Sequence, residues 1–183
     1  MPDIKQTIRA RRTIHDFLPD SAPPEEIVLS AIEHAIWAPN HHLSQPWRFY
    51  MIGPGTAERI CELNASRVRE AVNERAADIK LQRWRAVPGW LLLTCVRHAD
   101  ARRAEEDYAA CCCAAQNLML CLWEEGIGMK WTTGDVTRDP EFFEILGIDP
   151  QIERVVGLFW YGRAADVPGA ARIDTADLVK RLP

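Results

Sequence analysis

The glycine-rich signatures of nucleotide and hydrolase sites are missing from this chain. G-x-G-x-x-G, G-x-x-x-x-G-K-[S/T] and G-x-S-x-G do not occur, so a dinucleotide fold, a phosphate-loop enzyme and a serine hydrolase each lack their central feature. The glycine pair Gly126-Ile127-Gly128 follows its helix instead of opening it. Positive charge is not in excess: the formal net charge is -4, which gives no electrostatic case for nucleic acid or an acidic membrane surface. No run reaches the roughly 20 apolar residues that span a bilayer, and Met1-Pro2-Asp3-Ile4-Lys5 lacks the apolar stretch of a signal peptide. The 6 cysteines, at 61, 95, 111, 112, 113 and 121, form no C-x-x-C pair. Three in a row on a helix point about 100° apart and cannot share one metal. They read as small buried hydrophobes in a reducing cytoplasm. His41 and His42 lack both metalloprotease spacing and a nearby carboxylate, so no metal site is expected.

What is present describes an ordinary globular chain. With 183 residues, 48% hydrophobic and 26% charged, residues 1–183 suffice for one domain with one substantial core. The stretch Ala104–Gly128 is its organising feature. Glu105, Glu106 and Asp107 suit a helix N-terminus, Tyr108 to Trp123 carries no charge, and Gly126 supplies a left-handed stop. A segment apolar on every side predicts a central helix buried all round. Its small residues Ala109, Ala110, Cys113 and Ala114 would let a second subunit approach closely, so a homodimer interface is expected here.

The rest of the pattern alternates. Asp3 caps a first helix running to about Arg12, with Ile4 and Ile8 inward. Arg9, Arg11, Arg12 and Thr13 at its end either complement the helix dipole or form a phosphate clamp of guanidinium forks and a hydroxyl. A second helix starts at Ser21–Glu26 and stops at Pro39; a polar loop, 38–47, leads into a strand at Arg48–Ile52. A charged, weakly amphipathic stretch follows to Trp84, then a fully apolar strand at Trp90–Val96. Beyond the central helix come a strand at 129–133, a helix at Pro140–Leu146 and a last strand at Arg154–Tyr161. This order predicts an α+β fold of three layers, a small mixed sheet flanked by helices. The tail 164–183 holds few apolar residues and needs a docking surface to be ordered.

Three segments together resemble the FMN-dependent nitroreductase family, most closely its small, minimal bacterial members. They are Arg11-Arg12-Thr13 with Phe17 after them, Ala38-Pro39 followed by Ser44-Gln45-Pro46-Trp47-Arg48-Phe49, and Gly126-Ile127-Gly128 leading to Trp131-Thr132-Thr133. Arg85-Ala86-Val87-Pro88 and the late Tyr161-Gly162 add to the match, which runs from Ile4 to about Gly162. The resemblance implies the family's fold and an obligate homodimer with two flavins at the subunit interface. It places Arg11, Arg12 and Thr13 at the FMN phosphate and the pyrimidine end of the ring, Trp37 and His41 on the facing subunit's flavin, and Trp131, Thr132 and Thr133 beside the cofactor. Arg172, or Arg163, would complete the phosphate site. Cys121, Leu122, Trp123, Glu124, Glu125 and Gly126 match a stretch given to the nicotinamide donor. Thr13 stands where the family usually has serine, and Leu43 where it often has asparagine. The implied activity is ping-pong electron transfer from NAD(P)H to nitroaromatic, quinone or similar electron-poor acceptors, with FMN supplying the redox chemistry and no catalytic side chain evident. Dehalogenation or flavin destruction is a variant within the family. The alternatives are a non-catalytic flavin-binding, storage or sensing dimer, and a helical dimer without cofactor.

Overall fold

The computed structural model describes residues 3–183, so Met1 and Pro2 of the opening lie outside the described residues. The elements in order are α1 (Ile4–Ala10), α2 (Glu25–Ala35), β1 (Trp47–Ile52), α3 (Pro54–Ala71), α4 (Glu74–Arg85), β2 (Gly89–Val96), α5 (Ala101–Glu124), β3 (Gly128–Thr132), α6 (Pro140–Leu146) and β4 (Glu153–Gly162). The charged stretch after β1 is two helices where the sequence suggested one. The break falls at Val72, and Asn73 restarts the chain by accepting from the Ala76 N–H at 2.9 Å.

The four strands lie in the order β1-β2-β4-β3, and every pairing is antiparallel. The mixed sheet expected from the alternating elements is therefore corrected. β2 and β3, joined by α5, do run the same way, but the last strand inserts between them. Among the described residues, parallel pairing survives only as a single bridge, Thr13 with Met129.

Period-2 alternation along the strands divides the core by face. Leu91, Leu93, Val156, Phe159 and Tyr161 join α2 and α5 on one side. Trp90, Leu92, Leu158 and Trp160 meet α3, α4 and α6 on the other. The three layers expected from the sequence are present. On the second face the indoles of Trp84, Trp90 and Trp160 pack with centroids 5.0–5.7 Å apart.

α5 begins earlier than its acidic residues suggested: Asp100 caps it through the Arg103 N–H at 2.8 Å. Asp107 consequently lies inside the helix, only 5% exposed. The stop is as expected, with Gly126 at φ 72°. α5 is not buried on every side. Cys111, Ala114, Ala115, Leu118 and Leu122 face the core, whereas Ala109 and Cys113 are exposed and Gln116, Asn117 and Leu120 are half-buried. The helix presents one uncovered stripe of small and apolar residues. α1 also differs: Ile4 and Ile8 face solvent, and Thr7 is its buried residue. Among the described residues no helix is long and apolar enough to cross a membrane.

Candidate functional site

The end of α1 is tied down from three directions. The Arg11 N–H closes the helix on Thr7 O at 2.9 Å, and the Thr7 hydroxyl donates to Glu124 at the end of α5. Beyond the cap, the Ile14 N–H donates to Met129 O at 3.0 Å, and the Ile14 side chain seats on Gly128. A Cβ at Gly128 would come within 2.4 Å of Ile14 Cγ1, so glycine is what allows residues 11–14 to lie along the start of β3. The tail brings Arg172 to the same place. Burial, then Arg12, then Arg172 lower the Arg11 pKa from the ordinary arginine value. Its Nε is buried without a hydrogen-bond partner. Among the described residues, none of the three guanidiniums pairs with a carboxylate. Three cations, one with an orphaned buried donor, fit an anion carried in from outside the chain. Thr13 is exposed beside them. The structure thus brings together Arg11, Arg12, Thr13 and Arg172; Arg163 lies at the end of β4, near Gly126.

Trp131, Thr132 and Thr133 follow along the edge strand. The Trp131 indole N–H donates to Val156 O at 3.0 Å and the ring packs 5.3 Å from Phe159. It occupies space left by Gly157, where a Cβ would stand 2.1 Å from Nε1. Trp131 is therefore partly a core residue. Thr132 lines a cavity on the α3–α4 side, and Thr133 lines a second together with Tyr108 of α5 and Phe143 of α6. The first measures about 690 Å³ and holds residues that sequence reasoning missed. Lys130 sits 4.6 Å over the Trp160 ring, its pKa lowered by burial and then by Arg83 and Lys80. Asn64 Nδ2 and Trp160 Nε1 are buried there without partners. A lysine between Met129 and Trp131 on a strand was the available signal, since alternation puts it on the opposite face from Trp131.

Trp37 and His41 lie apart from the clamp, on the loop before β1. Trp37 is 85% exposed and Leu43 78%. The loop is strained, with φ of 53°, 52° and 44° at His42, Leu43 and Gln45, values that non-glycine residues adopt only when surroundings enforce them. Asn40 Oδ1 accepts from the Gln45 N–H at 3.0 Å, and Ser44 Oγ donates to the buried Asp107 at 2.5 Å. These contacts hold the loop. The two histidine rings meet edge to face at 4.1 Å.

The stretch 121–126 closes α5. Leu122 is 0% exposed on the core-facing stripe, so its side chain offers no surface to a nicotinamide, and that part of the expectation is withdrawn. Cys121, Glu124 and Glu125 line a cleft of about 330 Å³ with Glu26 and His34 from α2. Trp123 is half-buried and Gly126 exposed.

The α+β fold is one that other proteins share. The model of the nitroreductase family matches residues 8–163: the chain belongs to that family. It is 30% identical over 169 residues to "Putative NAD(P)H nitroreductase YfhC" of Bacillus subtilis (strain 168), covering 90% of this chain and 86% of that protein. It is 25% identical over 150 residues to "Putative NAD(P)H nitroreductase YdjA" of Escherichia coli (strain K12), covering 79% of this chain and 80% of the other. Among solved structures, a nitroreductase-like family protein from Bacillus cereus superposes with a TM-score of 0.87 at 27% identity, over 100% of this chain and 97% of that one. A nitroreductase from Desulfovibrio desulfuricans crystallised in complex with FMN shares the fold with a TM-score of 0.78 at 24% identity, over 100% and 98% of the two chains.

Proposed function

We propose that this protein is a homodimeric FMN-dependent oxidoreductase that passes electrons from NAD(P)H to nitroaromatic, quinone or similar electron-poor acceptors in a ping-pong cycle. The observation that carries the reading is the cluster of Arg11, Arg12 and Arg172, cationic, without carboxylate partners and with one buried orphan donor. It stands at the start of the edge strand that ends in Thr132 and Thr133. When bound, FMN supplies the redox chemistry, and the chain needs no general acid or nucleophile of its own. The guanidiniums hold the phosphate and favour negative charge nearby. Thr13 adds a hydroxyl, and Trp131, Thr132 and Thr133 form the wall beside the ring. Lys130 places a half-buried cation on the Thr132 face of that strand, opposite Trp131.

The dimer follows from surface that one chain leaves uncovered. The stripe of α5 with Ala109 and Cys113, the exposed Trp37 and Leu43, and Val167, Ile173, Leu178, Val179 and Leu182 of the tail are the small and apolar side chains a second subunit would cover. Trp37 and His41, set apart from their own clamp, then reach the facing subunit's flavin. The donor ring is assigned to 121–126, where Glu124, Glu125 and Gly126 are exposed and Cys121 and Trp123 half-buried. Six free thiols suit a reducing cytoplasm.

The test is the visible spectrum of the purified protein, repeated with NAD(P)H in the absence of oxygen. Flavin bands that bleach on adding the donor support the reading. Bands that persist identify a flavin-binding or storage dimer instead, and no bands after incubation with FMN remove the cofactor assignment. A monomeric mass at micromolar concentration removes the dimer.

A further inference from the structure

The cavity beside Thr133 is walled by positive charge without negative charge among its lining residues. It measures about 390 Å³ and is lined by Arg97, Arg138 and Arg154, with Tyr108, Thr133 and Thr137, and by no acidic side chain. Arg154 lies 4.1 Å over the Tyr108 ring centroid, and Arg97 is fixed through Nε to Pro150 O at 2.8 Å. Among the described residues, none of the three arginines has a carboxylate within ion-pair distance. The nearby acids are engaged elsewhere: Asp139 by Arg67, Glu153 by Tyr50 and Thr94, and Asp107 by Ser44. Guanidinium forks match the plane and spacing of a carboxylate. The Tyr108 ring beside them offers an aromatic ligand a stacking surface. The opposite end of α5 is unsuited to an anion, because Glu26, Glu124 and Glu125 line its cleft.

We propose that this arginine-lined cavity is an anion subsite for the electron acceptor, so that the preferred acceptors are aromatic carboxylates. The assignment rests on the functional reading above, since Thr133 joins the cavity to the wall that reading places beside the flavin. The subsite selects among acceptors by charge, and the rest of the site is indifferent to it.

The experiment uses FMN-loaded protein without donor, titrated calorimetrically with benzoate and with the neutral benzamide. Loading fills the phosphate clamp, so the clamp cannot report the anion. Benzoate is expected to bind about tenfold more tightly than benzamide, and Arg154→Gln or Arg138→Gln to remove most of that preference. Benzamide affinity and the melting temperature are expected to stay unchanged in both variants. In turnover, the KM for 4-nitrobenzoate rises in the variants and the KM for NAD(P)H does not. Equal binding of the two ligands overturns the proposal, as does a preference that survives both substitutions. A rise confined to the KM for NAD(P)H also overturns it, by assigning the arginines to the donor's pyrophosphate. A protein that takes up no FMN is recognised by its spectrum before any titration and overturns the functional reading and the acceptor assignment together. Equal binding of benzoate and benzamide by the unsubstituted protein, when that protein is flavin-loaded and bleached by the donor, overturns this proposal alone.

Discussion

Two sets of arginines in this molecule carry the same side chain in opposite circumstances. On α3 and α4, Arg67 reaches Asp139 at 2.6 Å, Arg69 reaches Glu74 at 2.6 Å, and Arg85 pairs with Glu58. Hydrogen bonds to those carboxylates raise each arginine's pKa and lower those of Asp139, Glu74 and Glu58. At the end of α1, Arg11 meets burial and two further cations, and its pKa falls. The first set is complete within the chain and fastens helices together. The second has no carboxylate partner within the described residues, which makes it the candidate for an anion from outside the chain. Charge by itself marks neither role; the difference lies in the partners.

Removing the unpaired charge should have the largest effect. Arg11→Ala is expected to weaken FMN binding by about 2 kcal/mol or more, because a buried charged contact is lost; a fluorescence titration of the flavin-free protein measures it, and unchanged affinity would detach Arg11 from the phosphate. Giving the cluster an internal partner tests the same contrast from the other side. Arg172→Glu sets a carboxylate beside Arg11 and is expected to weaken FMN by about 1–2 kcal/mol, with the Arg11 guanidinium now satisfied within the chain. A smaller effect needs no substitution. Inorganic phosphate should raise the melting temperature of the flavin-free protein by a few degrees, through binding to the folded state alone, and should leave Arg11→Ala unmoved.

The paired set should give the smallest changes. Arg67→Gln is expected to lower the melting temperature by at most about 2–3 °C, as exposed ion pairs do, with FMN affinity unaltered. The acid limb sharpens this. The Asp139 carboxyl is held below its usual range in the folded state, so its stabilisation is fully present above the unfolded value of about 3.9 and is lost as pH falls below that towards the depressed folded value. Melting curves between pH 5 and pH 3, roughly the window of that linkage, should show a shallower acid loss in Arg67→Gln than in the parent.

Much of this arrangement is written in local chemistry, and it was legible. Gly126 ends its helix, Pro140–Leu146 is the helix its proline and acid announce, and the apolar runs at Trp90 and Arg154 are strands covered on both faces. What stayed hidden depends on distance along the chain. Nothing near β4 shows that it inserts between β2 and β3, and the family resemblance alone points to Arg172, since no local pattern shows the tail returning to Arg11. The break at Val72 lacked glycine or proline to reveal it. Thr7, not Ile4 or Ile8, faces inward on α1 because its hydroxyl has Glu124 to meet. Lys130 and Arg154 read from the sequence only as strand residues, because the cavities beside them are formed with elements distant along the chain.

The indole cluster of Trp84, Trp90 and Trp160 has an optical consequence. Three rings in fixed contact make an asymmetric chromophore, visible in near-ultraviolet circular dichroism only while the packing around it is rigid. Its members come from α4, β2 and β4, so the signal monitors the sheet face opposite α5. Trp131, on the other face, stands next to the proposed flavin wall. One chain thus holds two sets of native chromophores on opposite sides of the same sheet, and the order of assembly can be followed without adding a label.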